Sequence, residues 1–127
     1  KTFDEGLICY CDSLDGSDME AMERMVSKGV SAIVSCETNI TFDFYEYARK
    51  KEILIGKDIS VISIGGVREA GSIVPSLTCI QQPGKQMGIK AIEVIANRIN
   101  KIERGNIKTH YFTPTLIEGG SVKQIEY

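Results

Sequence analysis

The sequence predicts an α/β domain in which a parallel sheet is flanked by helices. Three short apolar segments, residues 7–11, 30–35 and 59–64, alternate with segments whose apolar residues have helical spacing. This alternation is typical of βαβ units, whose strands pair in parallel. The chain has 127 residues, of which 43% are hydrophobic, and this is enough for one domain with a packed core.

The first βα unit is expected near the start of the chain. Residues 7–11, Leu-Ile-Cys-Tyr-Cys, have the composition of a short buried strand. The polar residues 12–17 predict a loop. Ser17 or Asp18 can then cap a helix, and Gly29 is expected to end it, because glycine tolerates the left-handed backbone that follows many helices.

Two further strands and a second helix follow. Residues 30–35 are apolar enough to predict a strand covered on both faces. Thr38 or Asn39 is expected to cap a helix that runs to about Lys51. Residues 59–64 predict the third strand, which a pair of glycines ends. The expected buried face of the second helix consists of Ile40, Phe44, Tyr47 and Ala48.

The last third of the chain differs from the rest. Residues 76–80 predict another short strand, and the longest helix is expected from Lys85 or Gln86 to about Arg104. Its apolar stripe, residues 87–102, is wide and has to be covered by something. We expect this stripe to be exposed, packed on the rest of the domain, or covered by a second copy of the chain.

Composition excludes several classes of function. The net charge of −2 gives no support for a basic nucleic-acid face. No apolar run has transmembrane length, and the first residues lack the apolar core of a signal peptide. The absence of an initiator Met suggests a cut or processed chain. Four cysteines without a zinc-binding or disulfide pattern favour the cytoplasm, and no metal or cofactor is expected.

No catalytic residue is predicted, so an enzyme is not expected. His110 is the only histidine, and nothing pairs it with a cysteine nucleophile. The glycine pair at Gly65 and Gly66 lacks the spacing of a phosphate-binding loop. In parallel α/β sheets, ligands bind beyond the carboxyl ends of the strands. A ligand crevice is therefore expected around residues 12–17, 36–38 and 65–68.

Four motifs in order resemble the lactose-repressor (LacI/GalR) effector-binding family. They are Asp-Ile-Ser-Val-Ile-Ser-Ile-Gly at residues 58–65, Pro-Ser-Leu-Thr-Cys-Ile-Gln-Gln-Pro at 75–83, Met-Gly-Ile-Lys-Ala at 87–91 and Thr-Leu-Ile-Glu-Gly-Gly-Ser-Val at 115–122. The resemblance covers nearly the whole chain. It implies the fold of periplasmic sugar-binding proteins, in which two subdomains close over a small ligand.

The resemblance also implies how the chain is divided. Residues 1–74 match the second, C-terminal subdomain, residues 76–104 match a strand and helix of the N-terminal subdomain, and residues 108–127 match the return to the C-terminal one. The chain would be a truncated effector-binding domain of a bacterial transcription regulator. A homodimer is expected, and DNA would be bound only through an N-terminal head that this chain does not contain.

The resemblance places four residues at a sugar-like ligand, and several depart from the family pattern. Glu37 stands where the family usually has Asn, and Gly65 replaces an Asp that contacts sugar hydroxyls. Ser13 aligns loosely with an aromatic residue that stacks on the ligand. Gln82 matches a Gln that lies near the ligand in some members of the family. Arg68 is a fifth candidate on its position alone, because it follows the glycine pair and would meet an anionic group of the ligand; an exposed loop Arg is the alternative.

Two interpretations of these departures remain open. The pocket binds a different ligand, with a cationic or donor-rich group facing Glu37, or it has lost its ligand and the domain serves as a dimerisation module. Glu37 pointing into solvent is a further alternative. An enzyme of the flavodoxin or Rossmann type is a third function class, which no nucleophile–base pair or phosphate loop supports.

Overall fold

The computed structural model describes residues 4–10, 18–66, 68, 70–100 and 108–125. Its four strands are β1 (Ala32–Ser35), β2 (Ser60–Ile64), β3 (Thr78–Gln81) and β4 (Thr115–Ile117), and its helices are α1 (Asp18–Ser27), α2 (Thr38–Lys50) and α3 (Gly84–Ile99). The strands form one sheet in the order β1-β2-β3-β4. The first three are parallel, and β4 is antiparallel to β3. The predicted α/β class with a parallel sheet is confirmed.

Helix α2 supplies much of the core. Phe44, Tyr47 and Ala48 are buried, as their helical spacing predicts, and the rings of Phe44 and Tyr47 stack with centroids 5.9 Å apart. Ile40 is only partly buried, whereas Thr41, which was not on the predicted face, is fully buried. The buried face of α2 is therefore the expected one, except that it includes Thr41 in place of Ile40. The hydroxyl of Thr41 is hydrogen-bonded to the hydroxyl of Ser63 in the sheet.

The strand predicted at residues 7–11 is wrong for the residues that the structure describes. Leu7 ends a short 3₁₀ helix, Glu5–Leu7, and residue 11 lies outside the described residues. The carboxylate of Asp4 accepts a hydrogen bond from the backbone N–H of Gly6 at 2.9 Å. This cap stabilises a tight turn that overlaps the predicted strand only at Leu7. Ile8 is extended, but residues 8–10 belong to no strand of the sheet.

The expectation that β1 is covered on both faces is also wrong. Strand β1 lies at the end of the sheet order, so its outer edge has no partner among the described strands. Val34 and Ser35 point to opposite faces of the sheet, and Val34 is 64% exposed whereas Ser35 is buried, so only one face of β1 is covered. An apolar run in the sequence does not show whether both faces of a strand are covered.

The third part of the chain differs from the expected division into subdomains. Strand β3, which we assigned with α3 to the N-terminal subdomain, pairs with β2, and Leu77 just before it is almost fully buried. The N–H of Gly65 donates to the carbonyl of Ile80 at 3.0 Å and continues this pairing. The strand therefore lies in the same sheet as β1 and β2, while the rest of the division stays a prediction.

Helix α3 leaves its apolar stripe uncovered. It begins at Gly84, close to the predicted start, and the predicted end at Arg104 lies outside the described residues. None of its side chains is buried in the described part of the chain. Its exposed large apolar residues are Met87, Ile89, Ile92, Ile95 and Ile99. Of the three expected outcomes, packing on the rest of the domain is therefore not observed among the described residues, and cover by a second copy stays a prediction.

Ser121 joins the end of the chain to the middle of the sheet. Its hydroxyl is fully buried, donates to the carbonyl of Val61 on β2 at 2.6 Å, and accepts from the N–H of Thr78 on β3 at 2.8 Å. Its backbone carbonyl accepts from the N–H of Val61 at 2.9 Å. One small side chain thus satisfies backbone groups of two strands.

Replacing Ser121 by Ala is expected to destabilise the fold by about 1–3 kcal/mol, because the buried N–H of Thr78 loses its acceptor. Urea unfolding monitored by circular dichroism measures this. Ser27→Ala is the matched control, since the hydroxyl of Ser27 is exposed on α1 and its loss should change stability by less than about 0.5 kcal/mol. Equal midpoints for the two variants would contradict the bridging role.

Candidate functional site

The carboxyl ends of the parallel strands meet at one edge of the sheet. Ser35 at the end of β1 is in register with Ser63, and Ile64 at the end of β2 is in register with Ile80. The segments that follow these strands therefore lie next to one another, at the edge where parallel α/β sheets bind ligands. Of the predicted crevice segments, the structure describes 36–38 and the part of 65–68 other than residue 67.

A polar network fixes the backbone of Glu37 at this edge. Its carbonyl accepts hydrogen bonds from the hydroxyl of Ser35 at 2.8 Å and from the hydroxyl of Thr41 at 3.0 Å. The hydroxyls of Thr41 and Ser63 are also hydrogen-bonded, at 3.2 Å, in a buried position. Sequence reasoning missed this network, although a threonine on the buried face of a helix was a signal for it. Glu37 is consequently held to both β1 and β2.

The side chain of Glu37 caps α2. One carboxylate oxygen accepts from the backbone N–H of Asn39 at 2.7 Å and of Ile40 at 3.3 Å. The prediction that Thr38 or Asn39 caps this helix is wrong by one or two residues, because Glu37 is the last extended residue and its longer side chain reaches back to the helix. The carboxylate is exposed and neutralises the positive end of the helix dipole. The other carboxylate oxygen accepts no hydrogen bond from the residues that the structure describes.

Gly65 and Gly66 line the edge with backbone instead of side chains. Their φ angles are 101° and 78°, in the left-handed region that favours glycine. A Cβ atom on Gly66 would lie 3.3 Å from the Thr38 side chain, and one on Gly65 would lie 3.6 Å from the Thr38 hydroxyl oxygen. The two glycines thus bring β2 against the first turn of α2, where a carboxylate side chain would be strained.

The other predicted site residues take different positions. Gln82 is exposed directly after β3, on the same edge as Glu37 and Gly65, and its carbonyl accepts from the N–H of Gly84 at 2.9 Å. Arg68 is exposed in the loop after the glycine pair. Ser13 lies outside the described residues. Of the five predicted site residues, the structure thus brings Glu37, Gly65 and Gln82 to one edge. Their contact with a ligand stays a prediction.

An apolar groove runs beside β1 and ends at this edge. It has a volume of about 470 Å³, with Met22, Val34 and Phe44 in its walls and Cys36 and Glu37 at one end.

Burial raises the pKa of the Cys79 thiol, which points into the core and not into the groove. Among the described residues, no group of three or more His, Cys, Asp or Glu side chains is placed to hold a metal ion. None of the described helices is long and apolar enough to cross a membrane.

Residues 6–122 match the sequence profile of the periplasmic binding protein-like domain. The ribose operon repressor of Escherichia coli (strain K12) is 27% identical over 106 residues, which are 80% of this chain and 31% of that protein. The HTH-type transcriptional repressor PurR of Erwinia tasmaniensis is 37% identical over 73 residues, which are 58% of this chain and 21% of that protein. The chain therefore spans a third or less of the length of these relatives.

Among solved structures, the complex of the transcriptional regulator CelR with cellobiose is similar in fold. The TM-score is 0.81 at 20% sequence identity, and the match covers 94% of this chain and 37% of that one. At this identity the likeness establishes the fold alone. It agrees with the fold that the motif resemblance implied.

Glu37→Ala is expected to destabilise the domain by about 1 kcal/mol, because the backbone N–H groups of Asn39 and Ile40 lose their acceptor. Glu37→Asp is the matched control, since aspartate is a preferred capping residue and keeps the charge. Urea unfolding of the three proteins measures the difference. If alanine and aspartate destabilise equally, the carboxylate does not act as the cap.

Proposed function

Because this chain belongs to the periplasmic binding protein-like domain family, we propose that it is the effector-sensing part of a bacterial transcription regulator. The match over residues 6–122 is the observation that carries this proposal. The names of its relatives, which are repressors, support regulation over catalysis. DNA would be bound by another part of a longer cytoplasmic protein, since the chain spans only 31% of the ribose operon repressor.

The ligand that fits the edge is a small, donor-rich molecule such as a carbohydrate. Glu37 offers one carboxylate oxygen that is not used in the cap, Thr38 offers a hydroxyl, and Gln82 offers an amide. Such groups accept and donate hydrogen bonds at fixed geometry, as recognition of hydroxyls requires. The carboxylate of Glu37 already occupies the N-terminus of α2, so an anionic group is disfavoured there and would instead be met by Arg68.

In the proposed mechanism, two subdomains close over the ligand. A ligand that binds the closed arrangement more tightly shifts the population toward it. In a homodimer, that change would alter the spacing of the attached DNA-binding heads. Ser13, which lies outside the described residues, would contribute to the ligand contact as the family resemblance implies.

A second candidate function is an interaction module that has no effector. The glycine pair at Gly65 and Gly66 favours it, because this part of the edge carries no side chain that could hold a hydroxyl. Glu37 would then serve only to cap α2. The two candidates differ in whether any small molecule stabilises the chain.

A thermal-shift screen separates the two candidates. Purified chain is tested against ribose, cellobiose, sugar phosphates, purine nucleosides, purine bases and polyamines. We expect at least one neutral or cationic compound to raise the Tm, because a ligand at about 100 times its Kd adds ~2.7 kcal/mol to stability. Calorimetric titration then gives the affinity.

Variants at the edge test where the compound binds. Glu37→Gln and Gln82→Ala should each weaken binding about tenfold or more, whereas Gln124→Ala should leave it unchanged. Gln124 is the matched control because it is exposed and follows Lys123, whose N–H binds the hydroxyl of Ser60 at the opposite, amino end of β2. If no compound raises the Tm, or if the edge variants bind like wild type, the sensing proposal is wrong.

A further inference from the structure

The carboxylate of Glu37 is held in place by the helix that it caps. One of its oxygens, Oε2, accepts hydrogen bonds from the backbone N–H groups of Asn39 and Ile40, and the backbone carbonyl of Glu37 accepts from two hydroxyls, those of Ser35 and Thr41. A group that is already ordered loses little conformational entropy when it binds a ligand. The second oxygen, Oε1, accepts no hydrogen bond from the residues that the structure describes, so it is presented at the edge on a rigid support.

The charge of Glu37 is not balanced by its surroundings. Among the described residues at the effector edge, which are 36–38, 65, 66, 68 and 82, Glu37 is the one acid and Arg68 the one base. Glu37 forms no ion pair with any residue that the structure describes. The N-terminus of a helix carries about half a positive charge, so it offsets only about half of the charge of the carboxylate. The surroundings of Oε1 therefore keep a net negative charge, which a cationic ligand group would neutralise.

The residue after Glu37 offers a second acceptor. Thr38 is half-buried in the first turn of α2, and its hydroxyl forms no hydrogen bond with a described residue. A Cβ atom on Gly65 would lie 3.6 Å from the hydroxyl oxygen of Thr38, and one on Gly66 would lie 3.4 Å from it. Apart from the chain neighbours of Gly65, no other described residue has an atom within 4 Å of that Cβ position. The hydroxyl of Thr38 therefore faces a space that the two glycines leave open.

The geometry of the cap selects among cations. A guanidinium binds a carboxylate best through both oxygens, and Oε2 of Glu37 is already used in the cap. A divalent cation needs several oxygen ligands, and among the described residues no three His, Cys, Asp or Glu side chains are placed together to supply them. An ammonium group is a compact charge with three donors. One oxygen of Glu37 is therefore sufficient for it, and the hydroxyl of Thr38 can accept another of its hydrogen bonds.

We propose that the effector of this domain carries a protonated primary amine and that Glu37 is the residue that selects it. The inference rests on the proposed sensing function and names the class of its ligand. An amino sugar is the source of the amine that fits the edge best. Its hydroxyls would meet the amide of Gln82, whereas the second cation of a polyamine would be repelled by Arg68.

Calorimetric titration of the intact chain with matched sugars tests this selection. Glucosamine is compared with glucose and N-acetylglucosamine, and galactosamine with galactose and N-acetylgalactosamine. We expect one amino sugar to bind about fivefold to tenfold more tightly than its neutral counterparts, because a hydrogen bond to a charged donor is stronger than one to a hydroxyl. Putrescine presents an amine without a sugar ring. Its tighter binding would support selection of an amine by Glu37 and assign the amine to a polyamine.

Two variants on α2 and its cap locate the selection. Glu37→Gln keeps the size of the side chain and an oxygen for the cap but removes the charge, so the preference for the amine should fall to about twofold or less. Glu46→Gln is the matched control, because Glu46 is an exposed acid of α2 that pairs with Arg49 and lies away from the edge. This variant should keep the preference of the wild type. Circular dichroism verifies that both variants are folded.

The inference and the sensing proposal fail in different ways. A neutral sugar that binds at least as tightly as its amino counterpart, or a preference that survives in Glu37→Gln, overturns the inference. If a neutral compound raises the Tm and no amine does better, the sensing proposal stands without this one. If no compound of either kind binds, the sensing proposal is wrong and the inference falls with it.

Discussion

The fold depends on the short segment that ends with Ser121 and crosses the amino ends of β2 and β3. The buried hydroxyl of Ser121 joins carbonyl and N–H groups of both strands, and the N–H of Gly119 donates to the hydroxyl of Thr78 at 3.0 Å. A Cβ atom on Gly119 would lie 2.5 Å from the carbonyl oxygen of Ser76, so only glycine permits this close approach. Because the segment joins β2 to β3 from outside the ladder, it stabilises the sheet that carries the proposed effector edge.

Periodicity and composition predicted the elements that bury an apolar face. The spacing of Phe44, Tyr47 and Ala48 predicted the buried face of α2, and the strand at residues 59–64 was predicted to within one residue. These predictions succeed because burial of one face leaves a regular signal in a single segment. The stripe on α3 was recognised in the same way, and the sequence alone could not say whether anything covers it.

The predictions that were wrong failed because individual hydrogen bonds, some local and some between distant residues, leave no trace in the periodicity of the sequence. Asp4 caps a 3₁₀ turn that takes in the first residue of the predicted strand, Leu7, and Glu37 replaced the expected cap of α2. Capping preferences rank residue types, but the geometry at the end of β1 decides which side chain reaches the free N–H groups. The hydrogen bonds of Ser121 link residues that are 43 and 60 positions apart, so no local pattern predicts them.

Helix α2 links the proposed effector edge to the opposite end of the lobe. Its N-terminus carries Glu37 at that edge, and the helix ends at Lys50. A helix of 13 residues is about 20 Å long, so its two ends are too far apart for one small ligand to touch both. The helix is nevertheless fixed to the rest of the lobe, since Thr41 anchors its first part to Ser63 and Tyr45 anchors the next turn to Pro75. Any movement of this lobe on closure would therefore carry both ends of α2 together, without repacking the core between them.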